Sequence, residues 1–181
     1  MPKFKLIVNP IAGRGQSAKL LPHVLYRLAQ SGVEPDVAWT EHRLHAVELA
    51  RQAAAEGYDI ILAMGGDGTT NEVINGLMAG YRGEPVGTLG ILPAGSGNDF
   101  CIATGWPTDL DEACQRIAEG RQRLVDIGKV NGRYFGNVAG MGFDAIANVE
   151  ATKIRFLRGT PLYLVAVLKT LLLHYAAPMT T

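Results

Sequence analysis

The sequence predicts an α/β fold in which helices cover both faces of a parallel sheet, giving three layers. Apolar, strand-like runs alternate with segments of helical periodicity from residue 5 to residue 119. The run at residues 59–64 is continuously apolar, which is typical of a strand buried on both faces. Glycine-rich loops follow three of the predicted strands. The length of 181 residues suffices for one α/β domain and part of a second.

The elements of this domain follow from apolar periodicity and from turn residues. Strands are predicted at residues 5–9, 33–40, 59–64 and 86–92. Helices are predicted at residues 17–30, 45–56, 70–78 and 110–119. We expect Ser17 to cap the first helix and Gly32 to end it.

The pattern changes after the last of these helices. Residues 123–130 and 133–139 flank Asn131-Gly132, a dipeptide that favours the type I′ turn of a β-hairpin. A hairpin is antiparallel, so we expect the chain to leave the parallel sheet near Leu124. A turn and a helix should follow, and then an apolar helix at residues 161–175 that is too short to span a bilayer.

Composition excludes several classes of protein. The chain has 17 basic and 17 acidic residues, which argues against a nucleic-acid binder with a basic surface. Its two cysteines lack a metal-ligand spacing, and we expect both to be reduced thiols. The four histidines are scattered, and each is expected to be a surface or packing residue. The first strand begins without the apolar region of a signal peptide, so we expect a cytoplasmic protein.

The most informative motif is Gly-Gly-Asp-Gly-Thr-Thr-Asn-Glu at residues 65–72, between a buried strand and a helix. Backbone N–H groups at a helix N-terminus, with no Cβ atoms in the way, form a phosphate site. Asp67 among those amides suits a divalent cation or a proton, although it could also simply cap the helix. Similar loops occupy residues 9–15 and 93–100. Since ligands bind at the carboxyl ends of parallel strands, adjacent strands would join the three loops into a nucleotide site.

Two neighbouring features leave alternatives open. Gly13, Gly15 and Ala18 fit the GxGxxA pattern of dinucleotide-binding proteins, but residues 10–11 separate the strand from the first glycine, so this is the weaker interpretation. Asn9 could bind a base or ribose, or merely close its strand with a side-chain turn. Thr40 could reach an adenine or cap the next helix.

Taken together, the motifs resemble those of the diacylglycerol kinase catalytic domain superfamily, which includes bacterial lipid kinases and sphingosine kinases. Residues 65–77 resemble its GGDGTxNEVxNGL block, residues 9–15 its first nucleotide loop, and residues 90–100 its LPxGTxNDFA block. Residues 125–128 and 137–145 resemble the entry to its second domain. The resemblance implies a nucleotide domain like that of phosphofructokinases and NAD kinases at residues 1–124. It also implies the start of an incomplete, β-rich second domain at residues 125–181.

The resemblance also implies residue roles. Asp67 would be catalytic, acting through Mg²⁺ or water, with Asp99 and Asp126 as supporting acids. Ser96 stands where the family has threonine and keeps the hydroxyl. With Asn9 added as a candidate, the predicted nucleotide-binding residues are Asn9, Thr40, Gly65, Gly66, Asp67, Gly68, Thr69, Thr70, Asn71 and Ser96. No metal ligands are assigned.

The function implied is that of an ATP-dependent lipid kinase in phospholipid metabolism, or of its nucleotide-binding portion. ATP and Mg²⁺ would be the cofactors, and a lipid alcohol would accept the γ-phosphate. Family members are longer, and their presumed catalytic base lies in the second domain, so we expect this chain to lack it. The alternative is a catalytically incomplete fragment that associates with a membrane, a partner or its own copies. Basic Lys153, Arg155 and Arg158 before the apolar helix suit an anionic membrane surface, although a core helix without its cover fits better.

Overall fold

The computed structural model describes residues 2–84, 86–154 and 159–173. Its contacts divide the chain into two compact units, Met1–Asn137 and Val138–Thr181. The predicted domain boundary after residue 124 stays a prediction.

A parallel sheet of four strands forms the centre of the first unit. The strands are β1 (Phe4–Val8), β2 (Asp36–Trp39), β3 (Ile60–Gly65) and β4 (Thr88–Pro93). They lie in the order β2-β1-β3-β4, with Val8 opposite Met64 and Met64 opposite Leu92. All six residues of β3 are buried, as its unbroken apolar run predicts for an inner strand.

Helices cover both faces of this sheet. They are α1 (Gln16–Gln30), α2 (His45–Ala55), α3 (Asp67–Met78), α4 (Asp99–Thr104) and α5 (Leu110–Glu119). Leu6 and Leu62 belong to a core that includes residues of α1 and α5. Their neighbours Ile7 and Ile61 belong to a second core with residues of α2 and α3. Because successive strand residues point to opposite faces, the two cores lie on opposite sides of the sheet, and the three-layer α/β prediction is confirmed.

Two helix starts differ from the predictions. Ser17 is not a cap, because the cap of α1 is Gly15 in a left-handed conformation with φ of 83°. Ser17 lies inside the helix, fully buried, where its hydroxyl donates to the Met64 carbonyl over 3.4 Å. Helix α3 begins at Asp67 rather than at residue 70, since Gly66 serves as its cap.

The predicted hairpin forms, but it is shorter than expected. Its strands are β5 (Gly128–Val130) and β6 (Arg133–Phe135), and the turn residues Asn131 and Gly132 both have positive φ, as a type I′ turn requires. The side chain of Asn75 on α3 holds β6 in place. Its Nδ2 donates to the Tyr134 carbonyl over 2.8 Å, and its Oδ1 accepts from the Tyr134 amide over 3.0 Å. The hairpin is therefore fastened to the helix that begins at Asp67.

The second unit contains two helices, α6 (Phe143–Lys153) and α7 (Gly159–Leu173). Glu150 of α6 receives a hydrogen bond from Lys153 of the same helix over 2.5 Å, and its ion pair with Lys169 of α7 over 2.7 Å joins the two helices. The predicted apolar helix matches α7 up to residue 173, and residues 174–175 of that prediction, like Arg155 and Arg158, lie outside the described residues. None of the described helices has the length and apolarity that crossing a membrane requires.

Candidate functional site

Three strand-to-helix loops meet at the carboxyl edge of the sheet. Strands β1, β3 and β4 are neighbours, so the loops that follow them lie side by side. Backbone hydrogen bonds continue past the strands, from the Asn9 amide to the Met64 carbonyl over 3.0 Å and from the Ala94 amide to the Gly65 carbonyl over 2.8 Å. Between the loops lies a cavity of about 370 Å³. Its lining comprises Asn9, Ala12, Gly13, Gly66, Asp67, Gly68, Thr69, Glu72, Gly95, Ser96 and Gly97.

Two glycines let the loops approach one another closely. A Cβ on Gly95 would lie 2.5 Å from the Gly66 Cα atom, inside any ordinary carbon contact. A Cβ on Gly13, whose φ is 55°, would collide with the Ala94 carbonyl oxygen. The lining therefore consists largely of backbone, which leaves amide groups accessible to a ligand.

Asp67 occupies the first position of α3 and is held by the start of α4. Its Oδ1 accepts a hydrogen bond from the Phe100 amide over 2.9 Å. Among the described residues, no hydrogen bond reaches Oδ2 or links Asp67 to Asp99 or Asp126. The cap of α3 is Gly66, so Asp67 does not occupy the cap position that was considered as its alternative role. One carboxylate oxygen is thus anchored and the other stays available for chemistry at the cavity.

Asn9 connects the first loop to the second. Its Oδ1 accepts from the Ile11 amide over 3.2 Å, which is the side-chain turn considered above as an alternative to ligand binding. Its Nδ2 donates to the Thr69 hydroxyl over 3.0 Å. Asn9 both closes its own loop and lines the cavity, so the two interpretations are compatible.

The predicted binding residues divide into two groups. Six of them line the cavity: Asn9, Gly66, Asp67, Gly68, Thr69 and Ser96. Gly65 and Thr70 are buried and not part of its lining, and Asn71 Oδ1 is buried with no hydrogen-bond partner among the described residues. Thr40 follows β2, the edge strand, where its amide donates to the Val8 carbonyl over 2.9 Å.

Glu72 is the lining side chain that sequence reasoning missed. It is absent from the predicted binding residues, yet it lines the cavity and accepts a hydrogen bond from the Leu44 amide over 3.1 Å. Its position four residues after Gly68 on one helix was the available signal, since such pairs share a face. Leu44 itself has a positive φ of 67°, and no sequence pattern predicts that conformation.

Comparison with known proteins identifies the family. The model of the diacylglycerol kinase catalytic domain matches residues 3–130. The diacylglycerol kinase of Bacillus subtilis (strain 168) is 43% identical over 143 residues, which are 78% of this chain and 46% of that protein. The diacylglycerol kinase of Staphylococcus saprophyticus is 43% identical over 140 residues, covering 77% and 45%.

A solved structure agrees with this assignment. The crystal structure of a diacylglycerol kinase from Bacillus anthracis superimposes with a TM-score of 0.65 at 34% identity, covering 74% of this chain and 45% of that one. The chain therefore spans about half the length of the curated relatives it matches. The matched fold, the ordered motifs and the family model together place this chain in the family of the diacylglycerol kinase catalytic domain.

Proposed function

We propose that this chain is the nucleotide-binding part of an ATP-dependent lipid kinase that transfers the γ-phosphate of ATP to a lipid hydroxyl. The observation that carries the proposal is the cavity at the edge of the sheet, lined by the backbone of three loops and by the anchored carboxylate of Asp67. Its volume of about 370 Å³ falls in the range of small-molecule sites. The relatives' name, diacylglycerol kinase, supports a diacylglycerol-like alcohol as the acceptor.

The lining suits a triphosphate accompanied by a divalent cation. Amides at the start of α3 and in the glycine loops would bind phosphate oxygens, and the helix dipole adds favourable charge. Asp67 and Glu72 would repel the same phosphates if no cation lay between them. Mg²⁺ prefers oxygen ligands, and Asp67 Oδ2, which accepts no hydrogen bond from the described residues, would help to hold it. When bound, the ion would neutralise charge that develops on the transferred phosphoryl group.

The remaining predicted residues have positions that fit supporting roles. Gly65, Thr70 and Asn71 are neighbours in sequence of the lining residues and would keep the loop and the start of α3 in place. Thr40 lies beyond the end of β2, next to β1, where it would extend the site toward the base of the nucleotide. The base that deprotonates the lipid hydroxyl is not assigned to any residue of this chain.

The alternative function, a nucleotide-binding fragment that associates peripherally with a membrane, a partner or its own copies, has its own supporting observation. Leu164, Leu168 and Leu172 of α7, spaced four residues apart, are 62%, 58% and 74% exposed. An exposed apolar surface of this kind is typical of a site that binds a membrane or another protein. Both functions are proposed for a cytoplasmic protein, and the kinase would contact a lipid surface when its acceptor binds.

Calorimetric titration of the full chain with Mg-ATP tests the proposal. Asp67→Asn is the informative variant, because its amide oxygen can still accept the Phe100 hydrogen bond while the charge is lost. Losing a charged contact costs about 1.5–3 kcal/mol, so we expect affinity to fall about 10- to 150-fold. Glu34→Gln, at an exposed position away from the cavity, is the matched control and should bind normally. The proposal is refuted if the unaltered chain does not bind Mg-ATP, or if Asp67→Asn and Glu34→Gln bind it with equal affinity.

A transfer assay separates the two functions. Radiolabelled ATP is mixed with the chain and with vesicles containing diacylglycerol, and labelled lipid is measured. If the unaltered chain transfers phosphate and the Asp67→Asn variant does not, the kinase is complete within this chain. Nucleotide binding without transfer supports the nucleotide-binding portion.

A further inference from the structure

We propose that His42, His45 and Glu48 form a binding site for a transition-metal cation of the Zn²⁺ class, where the chain enters α2. One ligand atom from each of these three side chains lies within 4.8 Å of the other two. The histidine rings are stacked, with centroids 4.5 Å apart and planes 11° from parallel. The four histidines were expected to be surface or packing residues, and the structure brings these two into contact.

The distances allow one ion to be shared by the three groups. Ligand atoms about 2.0–2.2 Å from a tetrahedral Zn²⁺ ion lie roughly 3.3–3.6 Å from one another. An imidazole lone pair lies in the plane of its ring, so one of the two stacked rings must turn out of the stack before a single ion can bind both. His42 and Glu48 are exposed and His45 is only half-buried, which leaves room for this rotation. Three protein ligands leave one position for water. Two imidazoles and a carboxylate favour Zn²⁺, Co²⁺ or Ni²⁺ over Mg²⁺, which prefers oxygen ligands only.

The hydrogen bond of His42 prepares that ring to bind a metal. Its Nδ1 lies 3.0 Å from the Arg43 carbonyl oxygen, which can only accept. In the neutral ring the proton therefore belongs on Nδ1, and Nε2 keeps its lone pair. A backbone carbonyl that holds the other ring nitrogen is the usual partner of a metal-ligating histidine.

The hydrogen bond of His45 makes metal binding detectable. Its Nδ1 accepts from the Glu41 amide over 3.1 Å, so the neutral ring carries its proton on Nε2. A metal at Nδ1 would take the same lone pair, and a metal at Nε2 would move the proton to Nδ1. Either mode ends the hydrogen bond from Glu41, which is exposed and can turn to water. The Glu41 amide is thus a reporter located at the site.

The backbone between the two histidines is also held by a hydrogen bond to α3. Leu44, between them, is the cap of α2 with φ of 67°, and its amide donates to Glu72 Oε1 over 3.1 Å. This hydrogen bond joins the segment between the two histidines to α3. Glu48, in the first turn of α2, supplies the negative charge that offsets the positive end of the helix dipole for a bound cation.

Calorimetric titration of the untagged full chain with ZnCl₂, without nucleotide, tests the site. We expect one equivalent to bind, and His42→Ala or Glu48→Gln to weaken binding at least tenfold. His42 and Glu48 are exposed, so neither change should impair folding. His23→Ala is the matched control, because His23 is an exposed histidine that pairs with Asp111 elsewhere.

Two further measurements locate the ion. In NMR spectra, ZnCl₂ should shift the Glu41 amide resonance of the unaltered chain and leave it unmoved in His42→Ala. A hundredfold excess of MgCl₂ should not displace the zinc, which separates this site from the carboxylates of the cavity. Zinc binding that His42→Ala and Glu48→Gln leave unchanged, an unmoved Glu41 resonance, or displacement by MgCl₂ would each overturn the inference. None of these results depends on whether the cavity binds ATP.

Discussion

The contact between the two central glycine loops can be tested by adding a single methyl group. In Gly95→Ala, the new Cβ would lie 2.5 Å from Gly66 Cα and 2.9 Å from Asn98 Oδ1. Carbon atoms normally approach to about 3.5–4.0 Å, so the backbone of one loop must move by roughly 1 Å. The Asn98 oxygen cannot simply rotate away, because it accepts the hydrogen bond from the Gly95 amide over 3.2 Å. Overpacking of this kind costs about 1–3 kcal/mol.

The assay is urea unfolding followed by circular dichroism, together with thermal unfolding. For a chain of this size each kcal/mol lowers Tm by about 2–4 °C, so Gly95→Ala should lose about 2–12 °C. Gly68→Ala is the matched control, since a Cβ there meets nothing within 4 Å and alanine favours a helix by about 0.5–1 kcal/mol. Its stability should be unchanged or slightly higher. If Gly95→Ala unfolds like the unaltered chain, the loops are not in the contact described, and the cavity they define is wrong.

Two other contacts yield further predictions. Asn75→Ala removes both hydrogen bonds to the Tyr134 backbone and should destabilise the hairpin by about 1–3 kcal/mol; unchanged hydrogen exchange at the Tyr134 amide would contradict this. Hydrogen bonds from Lys153 and Lys169 lower the pKa of Glu150 from 4.5 to about 2. Because the folded-state pKa is the lower one, this contribution is complete above pH 4.5 and lost as pH falls toward 2. Glu150→Gln should abolish that part of the pH dependence of hydrogen exchange in α6 and α7, and an unchanged profile would exclude the pairing.

Much of the sheet could be predicted because its strands carry strong local signals. Residues 59–64 read as a buried strand, and β3 occupies Ile60–Gly65 between two neighbours. The start of α1 could not be predicted in the same way. Ser17 looks like a cap locally, but its hydroxyl contacts Met64 in a strand 47 residues away, and that tertiary contact outweighs the capping preference.

The candidate site was predictable in its location but not in its connections. Parallel strands with glycine-rich ends bring their loops to one edge, so the neighbourhood of Asp67 followed from topology. The hydrogen bond that anchors Asp67 could not be predicted from topology, since its donor, the Phe100 amide, lies 33 residues further along the chain. His42 and His45 stack on either side of a left-handed Leu44, a conformation that leucine rarely adopts and that no residue pattern indicates.

The two hydrogen bonds between the Asn75 side chain and the Tyr134 backbone determine where the first unit can be cut if it is produced alone. A fragment ending at residue 124 would strip the apolar cover of Ile127 and Tyr134 from Ile74 and Phe100. It would also leave the Asn75 amide without its Tyr134 partners, on the same helix whose first residue is Asp67. Such a fragment should be prone to aggregate. A fragment that ends at Asn137 retains the hairpin that covers these residues and is the better choice for expression.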